Sequence, residues 1–157
     1  MTFTFRLIQD EALIRQAIMA PNNAPWSFED GYDVASWNVN PSSGVLSLGC
    51  FHGQEFLGIV GLIPQGKGRL EAHIAFLPAI YGNAAQVGRE CREWIWRHMG
   101  AETVIAPCLE CNSLAKRFLT HIGFTHHGYA DKTWLKDGEN HRIMIFEVQN
   151  PHNIREG

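Results

Sequence analysis

His73-Ile-Ala-Phe-Leu-Pro-Ala-Ile-Tyr81-Gly-Asn-Ala-Ala85 and Val104-Ile-Ala-Pro-Cys-Leu-Glu-Cys-Asn112-Ser-Leu-Ala115-Lys-Arg-Phe118-Leu119-Thr-His-Ile-Gly123-Phe124 are the two halves of the stretch that decides the fold. With the helix between them they read strand, loop, helix, strand, helix. A strand that feeds a loop of small residues and then a helix turns backbone N–H groups toward one point. The helix N-terminus adds partial positive charge, so the turn suits a pyrophosphate. Gly82, Ala84 and Ala85 are small enough for a phosphate to come close. An ordinary strand–helix turn uses the same residue types, so at this point both alternatives stand.

Between the halves, 83–99 predicts a helix. Ala84, Val87, Cys91, Trp94, Ile95 and His98 fall on one stripe at spacings of three and four, and Gly100 stops it. Ala85, Arg89 and Trp96 point away from that stripe. A tryptophan there is covered by a neighbouring loop or anchors an interface, and a homodimer is the assembly expected. In the second half, Asn112 is the N-cap of a helix over 113–122, with Gly123 past its end.

Outward from this stretch, 2–8 alternates as a first strand and Asp10 caps a helix over 11–19, which Pro21 ends. Segment 22–41 is turn-rich but carries Trp26, Phe28, Tyr32 and Trp37. It is expected to pack as short helices over a groove, either anchoring the loop to the core or forming a substrate lid. Strands follow at 44–51, 55–63 and 69–77, and after the central stretch at 103–106, 124–135 and 141–148, the last two joined around Asp137-Gly138. Three successive strands make an antiparallel meander, and the strand–helix–strand step implies one parallel pairing. The expected fold is α/β: a mixed, mostly antiparallel sheet of about seven strands flanked by helices. One domain over 1–149 with a polar tail over 150–157 is expected.

At 157 residues the chain can bury a sizeable core. A net charge of -3 gives no basic field for nucleic acid. The longest apolar run, 56–63, is strand-sized, so no membrane span is expected, and Arg6, Asp10, Glu11 and Arg15 interrupt any leader-like apolar region. A cytoplasmic location follows as the expectation. Cys50, Cys91, Cys108 and Cys111 are expected as reduced thiols. Cys108-x-x-Cys111 lacks the further ligands of a zinc site at standard spacing and the fold context of a redox pair, so it is read as small residues filling a turn. No metal is expected.

Asn112-x-x-Ala115-x-x-Phe118-Leu119-x-x-x-Gly123-Phe124 resembles motif B of the GNAT superfamily of N-acetyltransferases, which reads Asn-x-x-Ala-x-x-Phe-Tyr-x-x-x-Gly-Phe. The strand ending Phe76-Leu77-Pro78 with the loop Tyr81-Gly82-Asn83-Ala84-Ala85 resembles the family's motif A. The chain is also similar to a phage-encoded branch, some members of which are labelled head-assembly proteins. The resemblance implies an acyl-CoA-dependent N-acetyltransferase with acetyl-CoA as co-substrate and an amine as acceptor. Its alternative is a non-enzymatic protein on the same fold, binding CoA or serving phage morphogenesis. It further implies that the backbone of 74–77, including Ile74, Phe76 and Leu77, pairs with the pantetheine arm. Tyr81, Gly82, Asn83, Ala84 and Ala85 would hold the pyrophosphate, and Asn112, Ala115, Phe118 and Leu119 would close the cleft.

Two departures from the family pattern matter. The Gln/Arg that opens the family's phosphate loop is missing here. The motif-B tyrosine that protonates the departing thiolate is Leu119, which has no proton to give. Slow transfer, or binding without transfer, is the consequence expected. For the base, Glu71 and His73 share one strand face, and an imidazole suits proton transfer near neutrality. Glu29, Asp30 and Asp33 near the expected cleft favour a cationic amine.

Overall fold

The computed structural model describes residues 2–40 and 42–152. Strand β1 (Thr4–Ile8) leads to helix α1 (Glu11–Met19), the short α2 (Ala24–Ser27) and a 3-10 turn at Val34–Ser36. The meander is β2 (Leu46–His52), β3 (Glu55–Gly66) and β4 (Arg69–Phe76). A 3-10 turn at Pro78–Ile80 precedes α3 (Ala84–Met99). Then come β5 (Thr103–Leu109), α4 (Ser113–His121), β6 (Thr125–Lys136) and β7 (Glu139–Gln149). They form one seven-stranded sheet in the order β1-β2-β3-β4-β5-β7-β6. Only the β4–β5 pair is parallel, because α3 carries the chain back across the sheet between them. The mixed, mostly antiparallel fold expected from the sequence is therefore the one adopted.

The helices cover the two faces unequally. Leu48, Cys50, Val60, Leu62, Leu70, Ala72 and Val104 from the sheet meet Val87, Cys91 and Ile95 of α3 and Leu119 of α4 in the main core. Leu48 and Leu62 are fully buried, each worth about 1.5–3 kcal/mol by the area it removes from water. A smaller cluster on the other face packs Ile14 and Ala17 of α1 on Ile59 and Ala75. Asp10 caps α1 through bonds from the Ala12 and Leu13 N–H groups, as its position implies.

Three expectations need correction. Trp96 is only 5% exposed and belongs to the main core. Helix α3 is covered over a wider arc than the expected stripe, with Gly88 closed against Phe118 of α4. The exposed tryptophan that suggested a homodimer is thus absent. Strand β5 runs to Leu109, through Pro107, where the sequence suggested an end at Ala106. Proline is tolerated there because β4 has already parted from β5, leaving β7 as the one partner at that point. At the chain end, Asn150 is buried and donates back to the loop after α3, to the Ala101 and Glu102 carbonyls. The rest of the expected tail, 153–157, lies outside the described residues.

Gly58 lets β3 approach the end of β4 closely. Its φ is +124°, and a Cβ there would lie 2.4 Å from the Ala75 carbonyl oxygen and 2.7 Å from the Phe76 Cα, both backbone atoms of β4. Gly58→Ala should therefore lower stability by on the order of 3 kcal/mol, or roughly 10 °C in Tm. Gly61→Ala, where the nearest atom stands at 3.5 Å and φ is ordinary, should change little in the same thermal melt. Equal losses at the two positions would contradict the close approach of β3 and β4.

Candidate active site

β4 and β5 pair only at Arg69↔Thr103, Leu70↔Val104 and Glu71↔Ile105. Beyond Glu71 the strands diverge, β4 staying with β3 and β5 staying with β7. The result is a V-shaped cleft in mid-sheet whose mouth lies at the C-terminal ends of both strands. The backbone of β4 alternates along its ladder. Leu77 N–H donates to Leu57, so 73, 75 and 77 face β3, while the polar groups of Ile74 and Phe76 face the cleft. Of the stretch expected to meet an extended ligand, Leu77 is therefore committed to β3. The Phe76 carbonyl is also taken, by the side-chain amides of Asn22 and Asn23 at 3.0 and 2.7 Å. The groups left for a ligand are the Ile74 N–H and C=O and the Phe76 N–H.

Under the cleft lies an apolar cavity of about 30 Å³ between the sheet, α3 and α4. Ile74, Phe76, Val104 and Ala106 of the sheet line it, with Cys91, Phe118 and Leu119 from the helices. Leu119 is 3% exposed. The Phe118 ring meets Phe76 edge-on at 5.8 Å. The sole charged lining residue is Arg92, whose guanidinium is held by the Ile122 carbonyl at the end of α4.

At the mouth, Tyr81 is exposed, Gly82 has a φ of +89° with open space where a side chain would stand, and no side chain caps α3. Asn83 occupies the N-cap position without capping, while Ala84 and Ala85 are half-buried against the core. The first turn of α3 thus presents small residues and helix-terminal charge to whatever approaches. Asn112 does cap α4: its Oδ1 accepts from Ala115 N–H at 3.1 Å. Asn112 and Ala115 thereby fix the helix that carries Phe118 and Leu119 to the cavity.

Glu71 and His73 lie on the opposite face, the one covered further along by α1. Their side chains meet, His73 Nε2 to Glu71 Oε2 at 2.7 Å. The His73 side chain remains 52% exposed and the Glu71 side chain 25%. Glu147, across the sheet in register with Ile105 and hence Glu71, adds a second carboxylate to this face and stands 4.0 Å from Arg69. The shared face read from the sequence is thus the one they occupy, and the structure sets them at the point where the strands part.

A family model for the acetyltransferase (GNAT) domain matches residues 2–125 of the sequence. The chain belongs to the GNAT acetyltransferase family. Solved structures agree at the level of the fold. A spermidine N-acetyltransferase from Vibrio cholerae, in complex with CoA and spermine, superposes with a TM-score of 0.74 at 14% identity, over 94% of this chain and 95% of its own. An acetyltransferase of ribosomal protein S5 alanine from Vibrio fischeri gives 0.66 at 13% identity, over 95% and 93%. A Salmonella typhimurium protein described as an acetyltransferase, with its cofactor acetyl-CoA, gives 0.63 at 18% identity, over 97% and 96%. A comparison with curated proteins finds no match.

This GNAT cleft has a cover that local periodicity could not show. After α1 the chain is pinned to β4 by Asn22 and Asn23, then crosses toward the β6–β7 turn beyond β5. There the Asp30 carboxylate accepts from the Asp137 and Gly138 N–H groups at 3.1 and 2.8 Å, and Asp30 N–H donates to Leu135. Glu29 accepts from Leu135 N–H at 3.0 Å. Lys136 donates to the Pro25 carbonyl and lies over the Trp26 ring. The Gly138 bond first, and then the Asp137 bond, hold the Asp30 carboxyl below its usual range. A lowered folded-state value means the latch is intact above the usual carboxylate range and is lost as pH falls through the lowered one. Segment 22–30 therefore bridges the mouth of the cleft. Asn22, Asn23 and Trp134, not read as site residues, belong to this bridge and its dock, and Asp30, expected near the cleft as a charge favouring a cationic amine, is tied to the β6–β7 turn.

Cys108 is buried, and that burial pushes its thiol up to about 11, away from the thiolate that redox or zinc chemistry requires. No cluster suited to a metal occurs among the described residues, and no helix there is long and apolar enough to cross a membrane.

Proposed function

We propose that the protein transfers the acetyl group of acetyl-CoA to a cationic amine at the divergence of β4 and β5. The observation that carries this is the cleft itself, within a GNAT domain: free cleft-facing backbone at Ile74, an uncapped small-residue helix start at its mouth, and a His73–Glu71 pair beside it. Acetyl-CoA supplies an activated thioester. The Ile74 backbone and Phe76 N–H would hold its pantetheine as an added strand. Gly82, Ala84 and Ala85 would receive the pyrophosphate, with Tyr81 and Asn83 flanking it.

With Nε2–H donated to Glu71, the Nδ1 lone pair of His73 is left to take one proton from the ammonium, which frees its nitrogen to bond to the acetyl carbon; the second proton, lost as the amide forms, goes to the thiolate or to solvent. The carbon–sulfur bond breaks as the amide forms. Glu71 and Glu147 favour a cationic acceptor on this face, and the buried Oδ1 of Asn22, without a donor among the described residues, stands at the same mouth. The spermine bound to the Vibrio cholerae neighbour is an amine of this class.

No tyrosine lines the cavity beside Leu119. That favours a second reading in which CoA is bound but the thiolate leaves slowly or not at all. Release of free thiol from acetyl-CoA, measured with a panel of amines, tests the proposal. If the cleft is competent, Leu119→Tyr should raise turnover roughly tenfold, within the range of general acid catalysis. Wild-type turnover that Leu119→Tyr leaves unchanged means that another group or water protonates the thiolate. Binding of CoA without turnover by either protein would support the second reading and remove the first.

A further inference from the structure

A second, open pocket lies away from the apolar cavity, where the bridge meets the closing hairpin. It encloses about 300 Å³ between Ser27, Phe28, Glu29, Tyr32, Trp37 and Trp134. Four of its six walls are aromatic, and they come from separate parts of the chain: the bridge, the 3-10 turn and β6. Phe28 stacks on Tyr32 at 5.3 Å and meets Trp37 edge-on at 5.8 Å. None of the four belongs to either core cluster, and Tyr32 is 52% exposed. They are therefore not filling the interior.

The charges are arranged around the pocket with one sign inside it. Glu29 is the one charged wall. Its Oε2 is fixed by Leu135 N–H. Two cations lie nearby and neither lines the pocket, although Arg15 already stands over the ring of one wall, Trp37. Lys136 lies 4.6 Å over Trp26, outside the pocket, and Arg15 donates twice to the Trp37 carbonyl with its Cζ 5.6 Å from that ring's centroid. Aromatic faces attract cations through their quadrupole, most strongly when the cation is desolvated, and a single carboxylate sets the sign. The indole N–H of Trp134 is also buried without an acceptor among the described residues.

We infer that this pocket is a subsite for an organic ammonium group, one that carries alkyl substituents to cover the rings. The inference rests on the acetyl-transfer proposal only for what bears that group: the acceptor's second cationic centre. An acceptor with two separated ammonium groups would place one by His73 and the other here, under the bridge that joins the two places. A bare ammonium or metal ion would remain hydrated and gain less from the rings, which selects alkylammonium over inorganic cations.

Tetramethylammonium, which cannot be acetylated, is the probe, with tert-butanol as a neutral molecule of similar shape. Saturation-transfer NMR on the full chain should detect the cation and not the alcohol. Trp134→Ala and Phe28→Ala should weaken its binding about tenfold or more, the scale of a desolvated cation–π contact. Glu29→Gln keeps an acceptor for Leu135 N–H and removes the charge, so it should weaken binding without a change in Tm. Trp134→Phe serves where Trp134→Ala fails to fold, and should give a smaller loss. Equal binding of alcohol and cation, cation binding that survives Glu29→Gln together with Trp134→Phe, or no binding of the cation would overturn the subsite. Thiol release is scored separately with mono- and diamines. Absence of any acetyl transfer would remove the acetyl-transfer proposal while leaving the NMR result to decide the pocket.

Discussion

His73→Ala should lower amine acetylation by about 10²–10⁴, the usual worth of a positioned general base. The loss should appear in kcat, with the KM for acetyl-CoA little changed, because His73 lies on the face opposite the cavity and the Leu119 wall. The exposed side chain leaves room for a small base from solvent. Added imidazole should therefore restore part of the rate to His73→Ala and none to wild type. Glu71→Gln should be milder, roughly tenfold: an amide oxygen can still accept from Nε2, but the charge that stabilises the imidazolium is gone. A rate for His73→Ala equal to wild type, or a loss confined to KM, would assign the base elsewhere.

Ala84→Glu should abolish the stabilisation that CoA gives the wild type. At about a hundredfold excess over Kd, a ligand that binds only the folded state adds about 2.7 kcal/mol, or roughly 5–10 °C in Tm for a chain of this size. A glutamate in the first turn of α3 fills the space over Gly82 and sets a negative charge against the pyrophosphate. The same charge sits favourably at a helix N-terminus, which offsets part of the packing lost where Ala84 meets the core, so the ligand-free Tm should fall by no more than a few degrees. That contrast separates a blocked site from a damaged fold. A full CoA shift in Ala84→Glu would place the phosphates away from α3.

Local patterning made most of the scaffold legible. The turns that divide β2, β3 and β4, the small-residue turn before α3 and the Asn112 cap each depend on residues close in sequence, and each is where the residue types place it. The Glu71–His73 contact was legible for the same reason, since two residues apart on a strand share a face. What was not legible depends on distant partners. Asp30 bonds to Gly138, 108 positions away, and no periodicity near Asp30 announces it. Trp96 read as lying off the buried stripe, covered by a loop or free for an interface, because the stripe followed one line of three- and four-residue spacings, whereas neighbours distant in sequence widen the buried arc of α3. Pro107 read as a strand end because the divergence of β4, which makes proline tolerable there, is a property of the sheet and not of the segment. The aromatics of the bridge were visible as an unusual density, but Trp134, which completes their pocket, lies about a hundred positions on.

The most direct test of acetyl transfer at the β4–β5 divergence is a mass spectrum of a diamine incubated with acetyl-CoA and the purified protein, with free thiol counted in the same sample. The account predicts one acetyl group gained per thiol released, with both signals falling together in His73→Ala. Thiol released without acetylated amine, or CoA binding with neither product, would contradict it.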